Sequence, residues 1–185
     1  TLQLGSIHQY RDNFAKPYEI SFETEKGDHA FCHQTTYGMS ERILGALIGI
    51  HGDNKGLIMP PAVAPNQIVI IPIIFKGKEK IVTDICKLLE KQLKNEGYRI
   101  RIDNRDITPG NKYYEWELKG VPIRIEIGPR DIENKQIVLV RRDTSQKKSV
   151  HLSSSVDLIK KELESIAKNL FDNAKKIINE NIHRV

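Results

Sequence analysis

From Gly56 to Phe75 the chain runs for 20 residues without a charged side chain, and no other stretch constrains the fold as much. That length is what an α-helix needs to cross a bilayer. Pro60, Pro61, Pro65 and Pro72 lie inside it, together with Asn66 and Gln67. Each proline removes a backbone donor and breaks a helix interior. The run therefore reads as two pieces, a linker over Leu57 to Asn66 and a strand over Gln67 to Phe75, and no membrane contact is expected. An uninterrupted apolar strand fits a sheet covered by helices on both faces.

Beyond Phe75 strand and helix periods alternate. Val82, Cys86, Leu89 and Leu93 form a helical stripe that stops at Gly97, a residue suited to a left-handed cap. Tyr98 to Asp103 alternates as a strand, and a short helix ends near Gly120. Val121, Ile123, Ile125 and Ile127 then face one way, with Arg124 and Glu126 on the other side. Gln136 to Arg142 reads as a further strand. Such alternation predicts an α/β layer with a largely parallel sheet. Val156, Ile159, Leu163, Ile166, Leu170, Ala174, Ile177 and Ile182 keep helical spacing to the end of the chain, with Ser154 and Asp157 placed as a capping box.

Before the proline stretch the pattern differs. Tyr18, Ile20 and Phe22 alternate with polar residues as in an antiparallel strand, Lys26-Gly27-Asp28 supplies a turn, and a second strand is expected over about His29 to Thr35. At Ser40 the period becomes helical through Ile43, Leu44, Leu47 and Ile48. Ser40 is positioned as a cap, and Gly45 with Gly49 would permit close packing against a sheet. The resulting organisation is residues 1–60, 61–152 and a trailing helix, 153–185. The chain opens without methionine in what reads as mid-strand and is expected to be a piece of a longer protein. Thr1 to Tyr10 also lacks the cationic segment that opens a secretory signal.

Composition narrows the functional classes. Lys and Arg exceed Asp and Glu by five, a mild excess that suits an anionic partner. Two cysteines, Cys32 and Cys86, form neither a disulfide framework nor a paired zinc motif, so a reducing, cytoplasmic setting is expected. His29, Cys32 and His33 suggest a metal site, but on a strand the histidines stand about 13 Å apart with Cys32 facing away, so none is expected. Arg42 occupies the first turn of an apolar helix, where the dipole disfavours a cation. It is either an exposed arginine or a guanidinium held beside a phosphate or nucleobase. Asp103-Asn104-Arg105-Asp106 follows a strand's carboxyl end, where α/β sheets bind ligands, but taken alone reads rather as a solvated loop. Arg124, Arg130, Arg141, Arg142, Lys147 and Lys148 form either a solvated charged face or a surface for RNA phosphates.

Tyr37-Gly38-Met39-Ser40-Glu41-Arg42, followed by the apolar helix, resembles motif three of class II aminoacyl-tRNA synthetases. His51-Gly52-Asp53-Asn54-Lys55-Gly56-Leu57-Ile58-Met59-Pro60-Pro61 narrows the resemblance to prolyl-tRNA synthetases of the archaeal and eukaryotic type. Pro109-Gly110-Asn111-Lys112, Trp116 to Pro122 and Gly128-Pro129-Arg130-Asp131 extend it over essentially the whole chain.

The resemblance implies an α+β catalytic-sheet remnant, antiparallel, joined to a three-layer α/β anticodon-binding domain with a mixed sheet and a long C-terminal helix. It implies ATP contacts at Gln3, Ser6, Ser40 and Arg42, and proline contacts at His8 and Gly38. Glu117, Arg124 and Arg130 match positions that read the guanines of the proline anticodon, and Lys147 falls near another. The activity implied is ATP-dependent activation of L-proline and its transfer to proline tRNA, with Mg2+ accompanying ATP, no covalent catalytic residue, and a homodimer formed through an upstream segment. Two alternatives stand beside it: a tRNA-binding module without catalysis, and a class II synthetase for another amino acid.

Overall fold

The computed structural model describes residues 2–182, and the chain divides into two compact units, Thr1–Gly49 and Ile50–Val185. The first unit is a set of antiparallel ribbons. β1 (Gly5–Arg11) pairs with β4 (Gln34–Met39), and β2 (Ser21–Glu23) pairs with β3 (His29–Phe31) across a turn in which Gly27 takes φ +84°. The long strand expected around Tyr18 and Ile20 shrinks to β2, because the chain from Asp12 to Glu19 turns on itself through Lys16 N–H to Asp12 O and Ile20 N–H to Ala15 O. The second expected strand divides into β3 and β4 at Cys32 and His33.

Helix α1 (Arg42–His51) follows β4 and buries none of its residues. Gly45 and Gly49 face open space, so the close packing their spacing allows is not realised. Ser40 bonds sideways: its hydroxyl donates to Leu4 O at 3.3 Å and accepts from Arg42 Nε at 3.1 Å.

The second unit is a five-stranded mixed sheet in the order β6-β5-β7-β8-β9. Its centre is β5 (Ile68–Pro72), buried along its whole length and parallel to both β6 (Ile100–Ile102) and β7 (Ile123–Ile127). β8 (Gln136–Arg141) and β9 (Lys147–His151) add antiparallel strands. β9 escaped the sequence reading because Val150 is its only apolar residue turned into the core.

Alternation along β5 makes two cores. Ile68 and Ile70 pack with α2 (Glu79–Asn95) and with the first half of α5 (Ser155–Asn181), through Val82, Leu89, Leu93, Ile159 and Leu163 among others. Val69 and Ile71 pack on the opposite face against Trp116 of α3 (Pro109–Leu118). This is a three-layer α/β domain. The expected trailing helix is, as α5, part of this domain through Ile159, Leu163, Ile166 and Leu170, which complete the larger core, whereas Ile177, Ile178 and Ile182 are exposed. Its entry is a 3-10 turn over Leu152–Ser154, in which Ser154 Oγ donates to His151 O instead of capping the helix. Residues 183–185, which end the expected trailing segment, lie outside the described residues.

The proline stretch packs as part of the second unit. Arg99 donates to the carbonyls of Pro61, Ala62 and Ala64 at 2.9–3.0 Å, and Ala64 is buried. Leu57 and Met59 donate to Leu118 O and Gly120 O. Among the described residues no helix is long and apolar enough to cross a membrane.

Candidate nucleic-acid interface

Helix α3 covers only part of its face of the sheet, leaving that side of β7, β8 and β9 as the floor of a cleft of roughly 210 Å3. Strand register fixes which side chains meet there. Arg124 on β7 lies opposite Val140 on β8, which lies opposite Lys147 on β9, so the two cations share a row separated by a small apolar residue. Tyr113 of α3 packs its ring against both. The Arg124 guanidinium stands 4.4 Å from its ring centroid and the Lys147 ammonium 5.7 Å, both within cation–π range.

Beside the row, two residues along β7 on the same face, sits Glu126, almost wholly buried. Its Oε1 accepts from Arg124 Nε at 3.1 Å and its Oε2 from Lys147 Nζ at 3.2 Å. A buried carboxylate costs several kcal/mol unless paired. Here the pairing also fixes both cations in one orientation. Tyr113 is pushed up to about 12 by burial and then by the Glu126 charge, so its phenol stays neutral beside the cations.

Glu117, one α-helical turn after Tyr113, forms the other side. Its Oε1 accepts from Lys55 Nζ at 3.2 Å, and its backbone carbonyl accepts from Arg142 Nε at 2.9 Å. Arg142 is itself buried and clamps Asp53 through Nη1 at 2.8 Å and Nη2 at 2.6 Å, which holds Asp53 down to about 2. Asp53 Oδ1 also accepts from Lys55 N–H at 2.8 Å, so this turn delivers the Lys55 ammonium to the cleft.

Behind the cleft, Asp103 anchors α3. Its carboxylate accepts from Arg105 Nε and Nη2 at 2.9 and 2.7 Å and from Trp116 Nε1 at 2.7 Å, and its carbonyl accepts from Lys112 Nζ at 3.0 Å. Arg105, and then Trp116, hold its pKa well below the usual carboxylate range. The loop that read as either ligand site or solvated loop is thus largely a strut for α3.

Three of the four expected anticodon residues, Glu117, Arg124 and Lys147, therefore meet on one cleft. Arg130 does not line it; it lies in α4 (Pro129–Glu133), beside Phe75 and Lys76 at the carboxyl ends of β5 and β7. The run of six cations separates into different jobs. Arg141 binds Asp143 and Glu162, Arg142 binds Asp53, and Lys148 reaches Glu162 on the α5 side. Lys55, which lines the cleft, and Tyr113, which packs against its two cations, are residues that sequence reasoning missed. The spacing of Tyr113, Trp116 and Glu117 at i, i+3 and i+4 does place them on one helix face.

In the first unit, β1–β4 register aligns Ser6 with Gly38 and His8 with Thr36, which puts Ser6, His8 and Gly38 on one face of the ribbon. Ser40 N–H continues the pairing to Leu4 O, and Arg42 reaches Ser40. Gln3 Nε2 lies 3.4 Å from Gly5 O at the same end. His8 stacks on Tyr10 with centroids 5.3 Å apart, and Tyr10 meets Phe14 edge-on at 4.6 Å.

A family model for the anticodon binding domain matches residues 67–162, just over half of the chain. The whole chain is 51% identical to a proline–tRNA ligase of Thermococcus kodakarensis and 48% identical to one of Pyrococcus abyssi, covering 38% of each relative. Over 174 residues, or 94% of the chain, it is 49% identical to a proline–tRNA ligase of Methanocaldococcus jannaschii, again covering 38% of that protein. The chain thus spans less than half the length of these curated relatives, and the matched domain contains every cleft residue named above except Asp53 and Lys55.

Proposed function

Because the chain belongs to the anticodon binding domain family, we propose that its second unit reads the anticodon of proline tRNA for a proline–tRNA ligase. The observation that carries this reading is the convergence of Glu117, Arg124 and Lys147 on one cleft, with the Tyr113 ring against both cations. Unpaired anticodon bases expose the edges by which RNA is read in sequence. An arginine donates twice to guanine O6 and N7, and a carboxylate accepts from the guanine N1 and N2 groups. Lys55 neutralises Glu117 and Glu126 neutralises Arg124 before a base arrives, so binding exchanges one ion pair for another and exposes no bare charge. Arg130, in its neighbouring crevice, would serve the same RNA from a second position.

For the first unit the same reading assigns ATP to Gln3, Ser6, Ser40 and Arg42, and proline to His8 and Gly38. A guanidinium steadied through Nε by Ser40 keeps its outer nitrogens for phosphate or adenine, which fits ATP. Mg2+ would accompany ATP on its phosphates, where it neutralises charge. The whole activity would be proline activation followed by transfer to tRNA, resting on positioning and electrostatics.

The decisive experiment compares binding of proline tRNA with that of tRNAs substituted at the second or third anticodon base. Glu117→Ala and Arg124→Ala should each lose about 1–3 kcal/mol of discrimination. A uniform loss over all RNAs would overturn base reading. In a full-length ligase of this family, Arg42→Ala should raise the ATP KM and His8→Ala the proline KM in pyrophosphate exchange. A His8→Ala defect confined to ATP would remove the proline assignment.

A further inference from the structure

β5 and β7 are neighbours in the sheet, yet α2, β6 and α3 intervene between them in the chain. The chain leaves β5 for β6 on one side, over one face of the sheet, and then returns to β7 on the other side over the opposite face. At such a reversal an open α/β sheet forms a crevice outside the carboxyl ends of its strands, and ligands settle there. In this protein the crevice encloses roughly 660 Å3 and is lined by Ile73, Phe75, Lys76, Gly128 and Arg130 among others.

The chemistry of its lining is specific. Phe75 is 62% exposed, so its ring is open to a partner. Lys76 and Arg130 flank it, both exposed, and among the described residues neither side chain takes part in an ion pair or hydrogen bond. The local acids are engaged: Asp131 Oδ2 accepts from Gly128 N–H at 2.8 Å, and Glu133 pairs with Lys78. An open ring between two unpaired cations suits a nucleotide, with the base stacked on the ring and the phosphate beside the ammonium or guanidinium. The crevice lies within a few nucleotides' reach of the anticodon cleft, since Arg124 and Gly128 lie four residues apart along β7 and its end, about 13 Å.

We infer that Phe75 and Lys76, beside Arg130, form a further nucleotide subsite, which takes an unpaired nucleotide next to those held at Glu117, Arg124 and Arg130. Phe75 is the stacking platform, and Lys76 is a phosphate contact. The inference rests on the anticodon reading, in which Arg130 already serves, and adds to it a stacking platform and a phosphate contact that do not recognise sequence.

The test uses the full chain and an RNA stem-loop carrying the proline anticodon. Phe75→Ala should weaken binding roughly 5- to 100-fold, as expected when one base loses an aromatic platform. Phe75→Tyr should bind as the parent does, and Phe75→Leu should share the defect. Lys76→Ala should lower the slope of log affinity against log salt by about 0.7, while Phe75→Ala leaves it unchanged. Replacing the nucleotide on one side of the anticodon by an abasic one should abolish the Phe75→Ala effect. If the parent binds with anticodon specificity but Phe75→Ala and Phe75→Leu bind equally well, the subsite is overturned and the anticodon reading stands. If the parent shows no preference for the proline anticodon, that reading falls and the subsite falls with it.

Discussion

Glu126 organises the cleft although ligand could scarcely touch it. With almost no exposed surface, it orders Arg124 and Lys147 in the free protein, lowering the entropy cost of using those long side chains on any ligand. Asp53 plays a comparable part for Lys55, and its low pKa makes that part dependent on pH. A carboxylate whose folded pKa lies near 2, against an ordinary 3.8, contributes stability above about pH 4 and loses it as the pH falls toward 2. The carboxylate is partly open to water, so solvent screening reduces the contribution to about 1 kcal/mol. Urea unfolding of the parent and of Asp53→Asn, followed through the single tryptophan, Trp116, should show a stability difference at pH 6 that shrinks by pH 2. A difference independent of pH would separate Asp53 from the Arg142 clamp. None of this was legible in sequence. Asp53 and Arg142 lie 89 residues apart, and only the fold brings their charges together.

At the scale of elements, legibility followed burial. β5 and β7 announced themselves because one is apolar throughout and the other alternates strictly, each pattern set by what covers its faces. β9 was silent because an edge strand with one core residue and two lysines carries no such signature. The short alternation at Tyr18 to Phe22 misled for the converse reason: these residues are exposed, so no burial enforces the period. Glycines show a similar division. Gly97 and Gly120 both take positive φ, but a Cβ at Gly97 would meet nothing within 4 Å, whereas at Gly120 it would stand 2.5 Å from the Leu57 backbone. Gly97→Ala should therefore cost about 1–2 kcal/mol for its backbone alone. Gly120→Ala should cost distinctly more, because Leu57 and the Met59 N–H to Gly120 O bond must also shift. Thermal unfolding of the two variants decides this, and equal losses would refute the close approach.

Across the whole molecule, the core is distributed unequally. Ala15 is the single buried hydrophobic residue among the described residues of the first unit; the second holds all the others. Ribbons joined by few strands and little buried apolar surface are marginal by themselves. Hydrogen exchange should therefore show strong protection in β5, β7 and β8, and rapid exchange through β1 and β4, with free energies of opening near zero in the latter. Comparable protection in both units would contradict this division of stability.

The position of β5 at the centre of the sheet bears on how the protein is made. Its hydrogen-bonding neighbours both lie downstream: β6 begins about 30 residues later and β7 about 55 residues later. A ribosome adding about 5–20 residues per second needs roughly 3–11 s to carry the chain from β5 to the start of β7. Throughout that interval five consecutive apolar residues, Ile68 to Pro72, have no completed sheet to enter. The nascent chain thus presents a sticky segment that its own later sequence must shield, and slowing translation between Phe75 and Val121 would lengthen the period in which a chaperone or a neighbouring nascent chain can seize it.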